Sequence, residues 1–309
     1  MKKYGVKLLA MLLALVFPFA AYFTWNQNTP AQFTDSIMGT VLYKLQLLRQ
    51  TPGPRLILAG GSSSPYGTNC KYLAKELGMA SINVGATAYF GVDFYISMIS
   101  QNMREGDIIV IAPEFSMLCG AISYETVWMA VENQPEVWEV VPTSYWPEMI
   151  KYYYDYAQSK RARMESGGPN NTYNEHFGPL GDVTLLRESL LESGYNTEDP
   201  IALGPQLVSP AVIRSLNNFF HEAQKAGVQV FFAFAPVNIL ALTTQPEEWQ
   251  ALEDFLREQL AAPMLGSQRQ AVMEAECFYD SNNHLTTQGA QIYSEQMARN
   301  LQKQLSLQQ

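Results

Sequence analysis

The sequence predicts an α/β fold: a three-layer α/β/α sandwich around a mainly parallel, five-stranded sheet. Three observations predict it. Short apolar runs alternate with segments of helical periodicity, an order that builds a parallel sheet with helices on both faces. The run Val228 to Ala235 is almost unbroken in apolar character, as a strand covered on both faces requires. With 309 residues, 47% of them hydrophobic and 16% charged, the chain is globular in composition and long enough for one large domain or two small ones.

The elements follow in order. Lys2, Lys3 and Lys7 precede an uncharged run from Leu8 to Phe23. Residues 1–7 read as a cytoplasmic N-terminus and 8–24 as a single transmembrane anchor, since basic residues stay on the cytoplasmic side. The run is at the short end of what a bilayer needs. A signal peptide cleaved near Ala20 and Ala21 is the alternative, which would leave a secreted protein. Residues 25–53 read as a linker that turns into a short helix, with Met38, Val41, Leu42, Leu45 and Leu48 at helical spacing. This helix lies on the membrane surface or on the domain.

Residues 54–309 form the domain. Arg55 to Ala59 is the first predicted strand, followed by a helix from Asn69 to Leu77 that Gly78 stops. Ala80 to Val84 is a short strand, Val92 to Met103 a helix, and Asp107 to Ala112 the third strand after the turn Glu105-Gly106. A helix from Ala211 to Ala226, the strand Val228 to Ala235 and a helix from Glu247 to Ala261 continue the alternation. Ala271 to Tyr279 is the fifth predicted strand. Tyr293, Met297, Leu301 and Leu305 mark a C-terminal helix. An insertion at about 115–208, rich in tryptophan, tyrosine and proline, interrupts the pattern and is expected to lie, partly helical, over the strand ends. Asn170-Asn171-Thr172 fits a glycosylation acceptor.

The formal net charge of −9 excludes nucleic acid as a partner, which needs a basic face. Five tryptophans and seventeen tyrosines suit packing and, in part, a carbohydrate or amphipathic-ligand surface. Cys70, Cys119 and Cys277 are odd in number, without a C-x-x-C spacing, so neither metal ligation nor a structural disulfide is indicated. His176, His221 and His284 are too scattered for a zinc site. His221 reads as a packing or surface residue of a helix, and His176 as a loop residue within reach of the strand ends.

Chemistry concentrates after the predicted strands, where ligands of parallel sheets bind. Gly60-Gly61-Ser62-Ser63-Ser64 follows the first strand, a turn that can present a nucleophile and anion-binding N–H groups. Asn83-Val84-Gly85 follows the second, and Pro113-Glu114 the third. Glu114 can bind a substrate hydroxyl or a loop N–H, and Asn83 ties loops together or takes part directly. Asp280 and His284 share one loop before the last helix. A carboxylate so close to a histidine can fix its tautomer and stabilise the imidazolium formed in proton transfer.

Together these blocks resemble the SGNH (GDSL-like) hydrolase superfamily, over roughly 54–118 and 209–305. More narrowly, the apolar N-terminal segment with Gly60-Gly61-Ser62 and Asp280 to Leu285 resembles membrane-anchored bacterial cell-envelope members. These are of the D-alanyl-transfer and alginate O-acetylation types. Tyr173 to Gly178 is similar to a short motif of anchored relatives. The resemblance implies a flavodoxin-like sheet and a serine esterase or O-acyltransferase acting on a cell-envelope glycopolymer. Ser62 would be the nucleophile, with Ser63 the alternative one residue later, His284 the general base and Asp280 its orienting acid. Gly85, and Gly91 as a further candidate, would offer N–H groups to the oxyanion beside Ser62 itself. It implies no metal or organic cofactor, and a multi-pass membrane acyltransferase as partner. The sequence departs from the family at three places. Gly61 stands where the family has aspartate. The third strand ends in Ala112-Pro113-Glu114-Phe115 without the oxyanion asparagine. Ser281 occupies the usual position of the acid, three residues before the histidine. A non-catalytic scaffold of the same fold, binding polymer or a partner protein, is the second reading, and a soluble secreted esterase the third.

Overall fold

The computed structural model describes residues 2–168 and 176–307. Asn170 to Thr172 and Tyr173 to Glu175 lie outside the described residues. Among the described residues the strands are β1 (Arg55–Gly60), β2 (Ala80–Asn83), β3 (Ile108–Ala112), β4 (Gln229–Ala233), β5 (Val237–Asn238), β6 (Met264–Leu265) and β7 (Val272–Met273). The helices before β3 are α1 (Lys2–Gln27), α2 (Thr40–Gln50), α3 (Ser63–Gly67), α4 (Cys70–Leu77) and α5 (Gly91–Ser100). The insertion carries α6 (Phe115–Leu118), α7 (Tyr124–Val131), α8 (Pro135–Trp138), α9 (Trp146–Lys151) and α10 (Tyr153–Glu165). Then come α11 (Pro210–Lys225), α12 (Pro246–Gln259), α13 (Gln268–Ala271) and α14 (Thr287–Ser306).

The central sheet has the order β2-β1-β3-β4-β6, with every pair parallel. This is the flavodoxin-type doubly wound order, whose crevice opens beside β1 and β3 at the carboxyl ends. Each long strand divides its side chains between two cores. Ile57, Ala59, Ile109, Ile111, Val230 and Phe232 face one, while Leu56, Leu58, Val110, Phe231 and Ala233 face the other. Period-two alternation of apolar residues on both faces is why these runs carry no polar stripe. The helices start and stop where local chemistry dictates. Asn69 accepts from the Tyr72 N–H, Gly78 closes α4 at φ +67°, and Thr286 accepts from the Gly289 N–H to open α14.

The fifth strand is the main departure from the sequence reading. Met264–Leu265 completes the sheet, and the segment expected there contributes only Val272–Met273, paired with β5 in a two-stranded sheet. The two residues of β6 are too short to stand out as an apolar run. The α2 helix settles onto the domain, with Val41, Leu45 and Leu48 in the core. The apolar N-terminal segment is helical through Gln27, so the expected linker begins just after Gln27 and not at Trp25. Among the described residues, no helix is long and apolar enough to cross a membrane. The anchor reading also draws on Leu8, Leu9, Leu12 and Leu15, whose side chains lie outside the described residues.

Polar groups at the two ends of the sheet have different work. At the amino end, the fully buried Arg55 guanidinium pairs with Asp107 at 3.3 Å and donates to carbonyls of Leu48, Thr51 and Asn102. It thereby locks α2 and the α5 exit to the sheet. At the carboxyl end, part of the insertion is clamped against β2. Lys44 Nζ donates to the Gly181 carbonyl at 2.7 Å, the Asn83 N–H donates to the Leu180 carbonyl, and Asp182 accepts from the Cys70 N–H. A second clamp holds the end of α1. Glu132 accepts from the N–H groups of Gln32 and Phe33 and pairs with Lys160, whose ammonium caps the Asn26 carbonyl at 3.0 Å. Breaking one partner of such a buried pair leaves an uncompensated charge and costs roughly 3–5 kcal/mol.

Burial pushes the Lys44 ammonium down to about 7. An unfolded lysine keeps its ordinary value near 10.4, so the unfolded chain binds more protons between these two values. This group therefore makes stability rise with pH from about 7 to about 10 and contributes no slope below that window. Lys44→Met is expected to remove that part of the slope. Urea midpoints of the two proteins, compared across the window, check it; parallel pH dependences would refute a neutral buried Lys44.

Candidate active site

A cavity of about 540 Å³ opens at the carboxyl edge of the sheet. Ser62 after β1, Thr87 and Ala88 after β2, Glu114 after β3 and Phe234, Ala235 and Val237 after β4 line it, together with Ser281, Asn283 and His284. The insertion closes one side with Asp199 to Leu203 and Leu207. Ser62, Glu114 and His284, predicted from three separate sequence blocks, thus meet at one crevice.

The histidine loop is built around a turn. Ser281 Oγ accepts from the N–H groups of Asn283 and His284, at 3.4 and 3.1 Å. That turn absorbs the extra residue, and the Asp280 carboxylate reaches His284 Nδ1 at 2.7 Å. Asn282 is fully buried and pins the loop through the carbonyls of Asn196 and Asp199. The Asp280 pairing leaves His284 Nε2 as the nitrogen free for proton transfer, with Nδ1 carrying the proton toward the carboxylate.

Two residues that sequence reasoning missed hold the imidazole from below. The Tyr66 ring stacks on His284 with centroids 4.0 Å apart and planes 9° from parallel. The buried Arg187 guanidinium lies 5.4 Å from the centroid of the Tyr66 ring and donates to the carbonyls of Tyr66, Val183 and Leu285. Stacking fixes the ring plane, and the arginine fixes the stack. Tyr66 lies in α3 just past the serine turn, where no pattern singled it out. Arg187 comes from the insertion, where no spacing pointed to it.

At the serine turn, the structure distinguishes the two hydroxyls. Ser62 lines the cavity, whereas Ser63 is fully buried and its hydroxyl has no hydrogen-bond partner. Ser63 therefore does not serve as an alternative nucleophile. Among the described residues no hydrogen bond joins Ser62 to His284. The Ser62 hydroxyl donates instead to Glu114 Oε1 at 3.3 Å, and the Ser63 N–H donates to the same oxygen at 2.8 Å. Glu114 is itself buried. A Cβ at residue 61 would overlap this carboxylate and stand 2.9 Å from the Ala88 nitrogen. Gly61 is thus required for space: the position where the resemblance calls for aspartate is filled by a carboxylate arriving from β3.

The expected oxyanion donors need correction. Gly85 N–H is spent on Asn83 Oδ1 at 2.8 Å, and Gly91 N–H on the Ala88 carbonyl. Asn83 is fully buried, and its amide donates to Ser64 and Thr68, so it ties the two loops and does not reach the cavity. The Ala86 and Thr87 N–H groups both donate to the Tyr95 hydroxyl. This leaves the N–H groups of Ser62 and Ala88, both on cavity-lining residues, without a described partner. His176 and His221 are not among the residues lining the cavity, and His221 is exposed on α11. Among the described residues no cluster of acids, histidines and cysteines could hold a metal, and all three cysteines are free. No family model matches the chain, and no curated protein matches it either.

The fit between Gly61 and Glu114 is open to a direct test. Gly61→Ala should cost about 1–3 kcal/mol through overpacking. Glu114→Ala should relieve part of that cost, because the Ala88 nitrogen still crowds the new methyl. Urea unfolding of the two single variants and the double variant is expected to show coupling of about 1 kcal/mol or more, and additive effects would refute the pairing.

Proposed function

We propose that the chain carries out acyl-ester chemistry, as a serine esterase or O-acyltransferase. The observation that carries this reading is the shared cavity of Ser62 and His284, with His284 backed by Asp280 at 2.7 Å. The resemblance of the three motif blocks to SGNH hydrolases supports the same reaction class. The Ser62 hydroxyl turns from Glu114 toward His284 Nε2, loses its proton to it, and its oxygen bonds to the acyl carbon. Asp280 stabilises the imidazolium, and the N–H groups of Ser62 and Ala88 face the oxyanion. Collapse breaks the ester bond, and the departing alcohol takes the proton from His284. An acyl-Ser62 remains, which water or a hydroxyl of the acceptor resolves through the same base.

The substrate we infer is an acylated cell-envelope glycopolymer, with the domain held outside the cytoplasmic membrane by α1. The exposed Val6, Met11, Leu13, Val16 and Phe17 of α1 support an anchor, since a helix apolar all round needs an apolar surround. A multi-pass acyltransferase in the same membrane is the partner that the resemblance supports.

One observation favours a non-catalytic scaffold instead. Glu114 presents a carboxylate to the serine turn where the resemblance calls for an asparagine donor. A fluorophosphonate probe separates the two. An enzyme is expected to be labelled at Ser62 and not in Ser62→Ala, with His284→Gln slowing labelling about a hundredfold or more. Circular dichroism and unfolding midpoints should remain those of the parent chain. Failure of the folded parent chain to label, beside an active serine hydrolase that does, would leave the scaffold.

A further inference from the structure

We propose that the α9–α10 corner is a membrane-interface surface, seated in the headgroup region of the bilayer that α1 enters. The inference rests on the anchor reading of α1 and adds a second, peripheral contact to it. It starts from how α1 is held. Tyr153 at the start of α10 packs against Phe19, Tyr22 and Phe23, with ring centroids 5.7, 6.2 and 5.1 Å away. Its hydroxyl accepts from Asn26 Nδ2 at 3.1 Å, and Lys160, further along α10, donates to the Asn26 and Thr29 carbonyls. The end of α1 is therefore docked on α10 at a defined depth.

That depth carries the argument. Phe19 lies inside the apolar run and six residues before Trp25, or about 9 Å along the helix axis. The first turn of α10 consequently stands beside the last turns of the apolar helix and not beyond them. When α1 enters a bilayer, this corner cannot remain in bulk water. Its outward side chains match that position. Trp146 and Ile150 share one face of α9 at i, i+4 spacing and are 50% and 62% exposed, and Tyr154 on α10 is 62% exposed. Trp25 on α1 is 55% exposed. Tryptophan and tyrosine concentrate at the headgroup level, because each joins an apolar ring to a polar tip. Continuity with α1 selects lipid as the occupant of this face over a second copy of the chain.

The full-length chain, with Cys119→Ser and Cys277→Ser, can be tested in phosphatidylcholine vesicles. An environment-sensitive dye is placed at Ile150→Cys, or at Lys303→Cys on α14 across the sheet as the control. Flotation of the protein with the vesicles reads α1 separately. The expected result is a blue shift at residue 150 and loss of about half its emission when the lipids carry a nitroxide near the headgroup end, with neither change at residue 303. A protein that floats while residue 150 stays in water overturns the interface and leaves the anchor. A blue shift without nitroxide quenching places protein on this face and overturns it too. A chain that fails to float overturns the anchor reading, and this inference with it.

Discussion

The serine turn is organised by one contact, the Glu114 carboxylate against the backbone and hydroxyl of residues 62 and 63. It fixes which serine faces the cavity, because the oxygen that accepts from the Ser63 N–H also holds the Ser62 hydroxyl. It dictates glycine at residue 61 through space alone. It also links the ends of β1 and β3, the two strands that flank the crevice of this strand order. A buried carboxylate is tolerable only when hydrogen-bonded, and the turn supplies two donors, the Ser62 hydroxyl and the Ser63 N–H. The loop after β2 completes the arrangement, with Asn83 and Tyr95 consuming the N–H groups of Gly85, Ala86 and Thr87.

The insertion does two structural jobs at opposite ends of its length. Its later part supplies Gly181 and Asp182 to the β2 edge and Arg187 to the Tyr66–His284 stack. Its helical part supplies Glu132, Tyr153, Tyr156 and Lys160, which grip the chain just after α1. Most of the aromatic excess is used there. Trp128, Tyr145, Tyr153 and Tyr156 are buried, and Trp128 donates its indole N–H to the Met149 carbonyl. Aromatic rings with a polar tip suit this layer because it must bury large areas while satisfying the carbonyls of short helices.

The sheet was legible in the sequence because its strands are apolar on both faces and its helices amphipathic. The runs Arg55 to Ala59, Asp107 to Ala112 and Val228 to Ala235 needed no context to be recognised. What escaped depended on long-range partners. Met264 and Leu265 become a strand only because β4 offers an edge to pair with. Asp280 and His284 could be paired from their separation, but the turn that accommodates that separation depends on the Ser281 hydroxyl. The Gly85 donor failed for a similar reason. Its N–H is satisfied by Asn83 two residues earlier, and side-chain-to-backbone contacts of this local kind compete with any external acceptor. Glu114 stood out as a strand-end acid, but its fit to Gly61 required the two strand ends to be seen together.

That fit also constrains how an acyl reaction at Ser62 would proceed. A carboxylate about 4 Å from a developing oxyanion opposes it by on the order of 4 kcal/mol at the effective dielectric of a partly open site. Loss of an oxyanion donor typically costs about 3–4 kcal/mol. The two penalties are similar in size, so a glutamate where the resemblance calls for asparagine lacks one contribution and adds an adverse one. Catalysis from the resting geometry would be slow even with His284 correctly backed by Asp280. The penalty falls when the carboxylate swings away or meets a donor carried by the substrate. Either change frees the Ser63 N–H and releases the Ser62 hydroxyl toward His284. Reaction would then be coupled to occupancy of the cavity, which protects an acyl group from water until its acceptor is bound. A plain hydrolase has no need of that coupling, whereas a transferase benefits from it.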